Sequence, residues 1–200
     1  MATVALRLRI SPADNGRTMT LDDYLDAEVE EGYRYELARG VLEVSNVPND
    51  PHAIIISHFY DEIGAYRRAR PKFIHHYGGG SEFQFLLPRM ISGRHPDVAI
   101  ALWATPRGRR PASIAIEVVS EGKEARYRDY VTKRQEYLAY GLREYWIVDP
   151  ELKRVTLLIR DGDTWVERIA TGDQSATSVV LPGFVVALAD LWPAHDSETE

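Results

Sequence analysis

Two carboxylates stand in segments whose other residues are typical of buried strands. Asp97 begins the run DVAIAL, and Glu117 lies within the run SIAIEVV. An uncompensated carboxylate in a buried strand costs several kcal/mol, so something must offset its charge. A buried Arg or Lys would do so. So would a divalent cation shared by the two acids, since Mg²⁺ takes carboxylate oxygens together with substrate phosphate. Both alternatives are open at this point.

The two acids fall on comparable faces of their strands. Side chains alternate across a strand, so Asp97 shares a face with Ala99 and Ala101. Glu117 shares a face with Ala115. The opposite faces carry bulky aliphatic residues, namely Val98, Ile100, Leu102, Ile114, Ile116 and Val118. Each small-residue face therefore carries one carboxylate and has room for an ion, a water molecule and a substrate.

A basic partner for these acids is expected on a helix predicted from Tyr127 to Tyr140, which ends at the capping residue Gly141. The apolar stripe of this helix, at 3.6-residue spacing, comprises Tyr127, Tyr130, Val131, Tyr137 and Leu138. Arg134 falls near the centre of the stripe, and Lys133 lies about a quarter-turn to one side. The pattern leaves both as candidates to reach Glu117, with a surface position for Lys133 as a further alternative.

The remaining sequence predicts elements that place these residues in a sheet. Thr20 begins a short helix with Asp23 in a weakened capping box, and Pro51 begins a longer helix that ends before Pro71. The predicted strands are a hairpin over 33–45 with its turn at 39–40, then 73–76, 82–86, 97–102, 113–119, 144–148, 155–160 and 165–169. The glycines at 78–80 are predicted to form a flexible turn. This order indicates an α/β or α+β domain with a mixed sheet.

Length and composition are those of an ordinary globular protein. The 200 residues are 44% apolar and 27% charged, and we predict one domain at 18–192 between an N-terminal arm at 1–17 and a tail at 193–200. Alternating Leu6, Leu8 and Ile10 in the arm could add an edge strand to a partner chain. The absence of cysteine excludes disulfides and cysteine-bound zinc. No apolar run approaches the roughly 18 residues of a membrane span, so the expected location is the cytoplasm.

Positive charge is concentrated in the middle of the sequence. The net charge is −6, but residues 63–143 hold 15 Lys and Arg against 7 Asp and Glu, whereas 12 acids precede this segment and 11 follow it. A basic middle is compatible with a surface that faces phosphates, and also with a solvated surface of mixed charge. The glycine run at 78–80 lacks the continuation that a P-loop or a dinucleotide-binding motif needs.

The ordered set of motifs resembles the PD-(D/E)xK nuclease superfamily, and more specifically its restriction-endonuclease-like branch in which the lysine has moved to a helix. The resemblance covers roughly residues 20–192. Its central motifs are Pro96-Asp97, Glu117-Val118-Val119, and Lys133 followed by Tyr137 and Gly141. The supporting motifs are Tyr35-Glu36-Leu37 with Gly40, His52 at a helix start, and the run from Arg143 to Pro150.

This resemblance implies a restriction-endonuclease-like fold, with a central mixed sheet flanked by helices, and a Mg²⁺ or Mn²⁺ ion held by Asp97 and Glu117. Most of the superfamily has lysine two residues after the second acid, where this chain has Val119. The resemblance therefore assigns the catalytic lysine to Lys133. Glu36 matches an acid ahead of the first hairpin turn. It is either a third carboxylate that acts on the metal or its water, or an ordinary exposed strand residue.

Nucleic acid, with DNA as the expected form, is the implied partner. The residues expected to contact backbone phosphates are Arg107, Arg109, Arg110 and Arg126. The arginines at 67, 68 and 70 could add to them. His52 is a weaker candidate for such a contact, and capping or packing is its preferred interpretation. A homodimer would allow both strands of a duplex to be cut, although the sequence shows no diagnostic interface.

The resulting hypothesis is a metal-dependent endonuclease that hydrolyses phosphodiester bonds. The metal supplies Lewis acidity and lowers the pKa of water, and Lys133 would offset the charge that develops on the phosphate oxygens. The main alternative is a catalytically inert module of the same fold that binds nucleic acid or a protein. A glycosidase-like pair of acids is disfavoured, because alanines rather than aromatic residues neighbour both acids.

Overall fold

The computed structural model describes residues 7–46, 50–103 and 111–192. Its strands are β1 (Arg9–Ile10), β2 (Glu28–Val29), β3 (Tyr33–Ala38), β4 (Val41–Asn46), β5 (Ile74–Gly78), β6 (Phe85–Leu87), β7 (Ser92–Arg94), β8 (Val98–Leu102), β9 (Ile114–Val118), β10 (Glu144–Asp149), β11 (Arg154–Asp161), β12 (Thr164–Thr171), β13 (Ser175–Thr177) and β14 (Val185–Ala187). Its α-helices are α1 (Leu21–Asp26), α2 (Asp50–Ala69), α3 (Lys123–Tyr127), α4 (Lys133–Tyr140) and α5 (Leu188–Leu191). No helix in these ranges is long and apolar enough to cross a membrane.

The described residues fall into two compact units. One lies within Met1–Val47 and Gln84–His95, and the other within Pro48–Phe83 and Pro96–Glu200. The predicted domain at 18–192 includes residues of both units, and its boundaries stay a prediction. The predicted tail at 193–200 lies outside the described residues.

The first unit contains a sheet with the strand order β4-β3-β7-β6. Its β3–β4 hairpin is the one predicted over 33–45, and the turn falls at Arg39 and Gly40 as expected. Both turn residues have positive φ, 50° and 79°, which is the backbone geometry that matches the twist of a two-residue hairpin. The predicted cap of α1 is also present, because the Thr20 hydroxyl accepts a 3.0 Å hydrogen bond from the N–H of Asp23.

The N-terminal arm pairs within its own chain. β1 is parallel to β2, with Arg9 opposite Glu28 and Ile10 opposite Val29. Ile10 is fully buried and belongs to the apolar cluster of this unit. The strand expected in the arm is therefore present at Arg9–Ile10 and pairs with its own chain, and addition to a partner chain stays a prediction.

The second unit contains the central sheet, with the strand order β12-β11-β10-β9-β8-β5. β9 and β10 are parallel, whereas the β8–β9, β5–β8, β10–β11 and β11–β12 pairs are antiparallel. The sheet is mixed and flanked by helices, as predicted. α2 contributes Ile55, Phe59 and Ile63 to the main core, where they pack against one face of the sheet.

The predicted alternation of β8 and β9 is present in the structure. The core face of these two strands carries Val98, Ile100, Leu102, Ile114, Ile116 and Val118. The alanines of the same strands point to the other face, where Ala99 lies opposite Ala115. The sheet therefore has one aliphatic face towards α2 and one small-residue face on the side that carries Glu117.

The glycine run before β6 is a site of close packing rather than the predicted flexible turn. A Cβ atom at Gly79 would lie 2.0 Å from the backbone oxygen of Asp97, and one at Gly78 would lie 1.7 Å from the Glu82 carboxylate. Because the neighbour of Gly79 is backbone and cannot move aside as the Glu82 side chain can, only glycine fits at position 79. The run therefore lets the end of β5 pass close to Asp97, the residue before β8.

Candidate active site

Asp97 and Glu117 lie next to one another at one end of the β8–β9 pair. The antiparallel register joins Val98 to Ile116, so the residue before β8 falls opposite Glu117. Oδ2 of Asp97 accepts a 2.8 Å hydrogen bond from the backbone N–H of Val118, which directly follows Glu117. Only 3% of Asp97 and 2% of Glu117 is exposed. The two acids singled out by strand alternation are thus brought together, and both are buried.

His52, in the first turn of α2, contacts the Asp97 carboxylate. Its Nε2 atom lies 3.1 Å from Oδ2 of Asp97, and the side chain is buried. The first turn of a helix also carries partial positive charge, which favours a nearby carboxylate. The structure therefore places His52 as a packing residue that orients an acid. An exposed phosphate contact, the weaker interpretation from the sequence, is disfavoured by this burial.

Lys133, and not Arg134, faces Glu117. Nζ of Lys133 lies 3.0 Å from Oε2 of Glu117, and the lysine side chain is 1% exposed. Arg134 instead pairs with Glu167 on β12 at 2.7 Å. The structure thus decides between the two candidates that helical periodicity left open, and it contradicts a surface position for Lys133.

A π-helical turn at Arg128–Thr132, between α3 and α4, sets the direction in which Lys133 points. The N–H of Lys133 donates to the carbonyl of Arg128, five residues earlier. The carbonyl of Asp129 accepts a 2.9 Å hydrogen bond from the hydroxyl of Tyr145 on β10. Single π turns within helices occur often at functional sites. Here the additional residue turns the face of α4 relative to that of α3.

The buried face of this helical segment is polar, contrary to the predicted apolar stripe. Its buried residues are Asp129, Lys133, Glu136 and Tyr137. Of the predicted stripe only Tyr137 is buried, and Tyr127 is 63% exposed. The stripe prediction was wrong because it assumed an uninterrupted 3.6-residue period and an apolar surface to pack against. The π turn interrupts that period, and the facing strand presents Glu117.

Two tyrosines complete the surroundings of Glu117. The hydroxyl of Tyr137 donates a hydrogen bond to Oε1 of Glu117, so that both carboxylate oxygens are held, one by tyrosine and one by Lys133. The Tyr137 ring packs edge-on against Tyr145, with 4.9 Å between the ring centroids. Sequence reasoning did not assign either tyrosine to the site. The available signal was that Tyr137 lies four residues after Lys133 and therefore on the same helix face.

The carboxylates of this cluster are those of Asp97, Glu117 and Asp129, all of them buried. Buried Lys133 pairs with Glu117 and Asp129, and partly exposed Arg128 pairs with Asp129. Burial raises the pKa of Tyr145 well above its usual value, and the carboxylates of Asp129 and Glu117 raise it further because they disfavour a phenolate. The neutral phenol of Tyr145 is therefore the form that this buried acidic cluster favours.

The donor set fits Mg²⁺ or Mn²⁺ better than a metal held by protein ligands alone. Within the described ranges, no group of three or more His, Asp or Glu side chains is arranged to hold a metal ion. A closed site of the structural zinc type needs four such ligands. Mg²⁺ instead binds one or two carboxylates and keeps water and substrate phosphate as its other ligands, and Mn²⁺ prefers the same oxygen donors. The two buried carboxylates at neighbouring strands, Asp97 and Glu117, supply oxygen donors of this kind.

Glu36 lies on β3 in the first unit, where its carboxylate is engaged. Oε1 accepts a 2.7 Å hydrogen bond from the N–H of His95, and Oε2 lies 3.4 Å from Nη1 of Arg94. The fully buried Arg94 also pairs with Glu43, which lies opposite Glu36 in the hairpin. The alternative of an ordinary exposed residue is therefore wrong, since Glu36 is 4% exposed. Its role at a metal stays a prediction.

Of the four arginines predicted to contact phosphates, the structure describes one, Arg126. Arg126 pairs with Asp149 and, at 2.7 Å, with Glu151. Both of its terminal nitrogens are engaged with acids, so Arg126 joins α3 to the end of β10, and its contact with a phosphate stays a prediction. The predicted contacts that lie outside the described residues are Arg107, Arg109 and Arg110.

Comparison with known proteins agrees with this architecture. Residues 21–189 match the family described as "Putative restriction endonuclease". The fold is similar to that of a solved structure from Anabaena variabilis, described as "a putative nuclease belonging to DUF820", with a TM-score of 0.66. The two sequences are 18% identical, and the match covers 86% of this chain and 97% of the other. This likeness shows a shared fold. No match is found among curated proteins.

Proposed function

The chain belongs to the Uma2 family, described as "Putative restriction endonuclease", and we propose that it is a Mg²⁺- or Mn²⁺-dependent endonuclease that hydrolyses phosphodiester bonds of DNA. The observation that carries the proposal is the buried group of Asp97, Glu117 and Lys133, in which the amine lies 3.0 Å from Glu117. Two carboxylates and an ammonium are the groups that hold a divalent cation and oppose the charge of a phosphate. The fold and the family support the same assignment.

Asp97 and Glu117 would hold the cation, which when bound polarises a phosphoryl oxygen and lowers the pKa of water. Each carboxylate is fixed by its neighbours. Asp97 is bound by the N–H of Val118 at 2.8 Å and by His52 at 3.1 Å. Glu117 is bound by Lys133 and by the hydroxyl of Tyr137. Groups fixed in this way need little rearrangement when the substrate arrives, which lowers the barrier to reaction.

Lys133 supplies positive charge beside the acids, where negative charge grows on the phosphate oxygens during hydrolysis. Its amine also lies 3.7 Å from Oδ1 of Asp129, so carboxylates of β9 and of the π turn both hold it. Charges interact more strongly in a buried site than in water. Asp129 and Tyr145 act through Lys133 and are positioning residues.

Cleavage of plasmid DNA tests this proposal. The wild-type protein is expected to nick or linearise the plasmid with Mg²⁺ or Mn²⁺ and to lose that activity in EDTA. Asp97→Asn is expected to abolish cleavage, while Arg134→Gln, which alters the pair with Glu167, keeps it. Cleavage that persists in Asp97→Asn or in EDTA would contradict the proposed site.

A catalytically inert module of the same fold is the second candidate, and one observation favours it. The amine of Lys133 already offsets the buried charge of Glu117, as in purely structural ion pairs. An inert module predicts no metal-dependent cleavage of any nucleic acid by pure wild-type protein, together with unchanged binding in Asp97→Asn. Cytoplasmic location and assembly as a homodimer stay predictions from the sequence.

A further inference from the structure

A second surface of the unit that contains the central sheet combines a cavity, two arginines and an exposed tryptophan. The cavity has a volume of about 330 Å³, which falls in the range of roughly 300–1,000 Å³ that small-molecule sites occupy. Its lining residues are Gly64, Arg67, Arg68, Pro71, Ile74, Tyr77 and Trp103. We call it the Trp103 pocket. The mechanism above uses none of these residues.

The Trp103 pocket lies at the opposite end of α2 from the acid cluster. His52, in the first turn of α2, contacts Asp97, whereas Arg67 and Arg68 lie in its last turn. Fifteen residues of α-helix span about 22 Å. A stacked strand of B-DNA rises about 3.4 Å per nucleotide, so a strand running along α2 would place at most about six nucleotides between the bond cleaved at the acids and the pocket, and fewer where the strand is extended.

Trp103 offers an aromatic surface at the mouth of the pocket. Its side chain is 48% exposed, whereas Trp146 is 1% exposed. The backbone at Trp103 is fixed by a 3.0 Å hydrogen bond from its N–H to the carbonyl of Phe73. The indole packs against the ring of His75, with 4.4 Å between centroids and 84° between planes. A large apolar ring held at the surface is the kind of group on which bases of single strands stack.

The two arginines border the same cavity. The guanidinium of Arg67 lies over the Tyr77 ring, 5.8 Å from its centroid. A Cβ atom at Gly64 would lie 3.4 Å from Nη1 of Arg68 and 3.1 Å from the Tyr77 hydroxyl, so the glycine leaves this side of the cavity open. Cations in the last turn also stabilise a helix through its dipole, and that is their function if nothing binds in the pocket.

We propose that the Trp103 pocket binds one unpaired nucleotide of the substrate strand, with its base stacked on Trp103 and its phosphate against Arg67 and Arg68. This inference rests on the proposed nuclease function and specifies the form of nucleic acid that the nuclease would bind. A base inside a duplex is covered by its stacked neighbours, so the indole reaches it only where the strand is single. The preferred substrate that follows is nucleic acid with a single-stranded segment several nucleotides from the cleaved bond.

Equilibrium binding of a fluorescently labelled oligothymidylate, compared with a blunt duplex of the same length in EDTA, tests the pocket without any cleavage. Trp103→Ala is expected to weaken single-strand binding by about tenfold, since stacking of one base contributes roughly 1–3 kcal/mol. Duplex binding is expected to change less than twofold. Trp103→Phe, which keeps an aromatic face, should restore most of the affinity.

The arginines have a separate readout in the salt dependence of the same binding. Each phosphate contact to a single strand contributes about 0.7 to the slope of log K against log salt concentration. Arg67→Gln/Arg68→Gln should therefore lower that slope by about 0.7, because both arginines hold the same phosphate. Lys153→Gln/Arg168→Gln removes the same charge from exposed residues near the other edge of the sheet and should leave it unchanged.

Three results would contradict nucleotide binding in the Trp103 pocket. They are an unchanged single-strand affinity in Trp103→Ala, an equal loss of affinity for duplex and single strand in that variant, and an equal change of the salt slope in both double variants. These results leave metal-dependent cleavage of plasmid DNA untouched. Conversely, selective loss of single-strand binding in Trp103→Ala supports the pocket even if the wild-type protein cleaves nothing.

Discussion

Nζ of Lys133 lies 3.0 Å from Oε2 of Glu117, and both side chains are almost completely buried. This contact identifies one group that compensates the acid placed within β9. Lys133 alone does not neutralise all the acids of the site, because the carboxylates of Asp97 and Asp129 belong to the same cluster. A lysine that neutralises one acid and a cation that binds between two acids are therefore compatible in this site.

Removing the buried amine should destabilise the fold as well as abolish cleavage. Lys133→Met leaves Glu117 without this partner in the interior, and loss of one member of a buried pair costs about 3–5 kcal/mol. The neighbouring variant Arg134→Met disrupts a partly exposed pair with Glu167, which is worth about 1 kcal/mol or less. Urea unfolding of the two variants measures this difference. Equal losses of unfolding free energy would contradict the assignment of Lys133 to the buried pair.

His52 should tune the affinity of the site for metal. Replacing residues that orient a metal ligand commonly weakens metal binding by about 10–100-fold, so His52→Gln is expected to weaken Mn²⁺ binding by that factor. His58→Gln is the matched control, since His58 lies on the same helix but is partly exposed. Titration calorimetry with Mn²⁺ measures both. An unchanged Mn²⁺ affinity in His52→Gln would contradict the assignment of His52 as the residue that orients Asp97.

The two tyrosines beside Glu117 should differ in their contribution to stability. Tyr137 donates to a carboxylate, whereas Tyr145 donates to the backbone carbonyl of Asp129. A hydrogen bond to a charged group contributes about 1.5–3 kcal/mol and one between neutral groups about 0.5–1.5 kcal/mol. Tyr137→Phe should therefore lower the unfolding free energy more than Tyr145→Phe. Urea unfolding at neutral pH measures the two losses of unfolding free energy. A larger loss in Tyr145→Phe would contradict the hydrogen bond from Tyr137 to Glu117.

Alkaline pH should destabilise the protein through its buried tyrosines. Burial raises the pKa of Tyr145, Tyr130 and Tyr66, whereas phenols of the unfolded chain ionise near pH 10. Their contribution to stability is complete below about pH 10 and is lost as the pH rises towards the raised values. We expect the free energy of unfolding to fall from about pH 10 upward, measured by urea unfolding together with phenolate absorbance. Constant stability with full phenolate formation would contradict this.

The parts of the site that depend on local pattern could be predicted from the sequence. Alternation of side chains in β8 and β9 was enough to single out Asp97 and Glu117, because it needs only the knowledge that these segments are strands. The hairpin of β3 and β4 and the long helix α2 followed in the same way from turn residues, prolines and periodicity. None of these predictions required a distant contact.

The parts that depend on contacts between distant segments could not be predicted. His52 reaches Asp97 across 45 positions, and Arg94 reaches Glu36 across 58. Helical periodicity alone could not choose between Lys133 and Arg134, because a π turn leaves no clear signature in it; only the family resemblance selected Lys133. Buried polar residues whose charges neutralise one another have the same composition as an exposed helix face, so the sequence pattern does not distinguish the two.

Anomalous scattering from a crystal grown or soaked with Mn²⁺ tests the central claim most directly, because it locates the ion independently of turnover. We expect one strong peak within coordination distance of carboxylate oxygens of both Asp97 and Glu117, and the loss of that peak in Asp97→Asn. No peak between the two acids at saturating Mn²⁺, or a peak that persists unchanged in Asp97→Asn, would contradict a metal-dependent site at this end of the sheet.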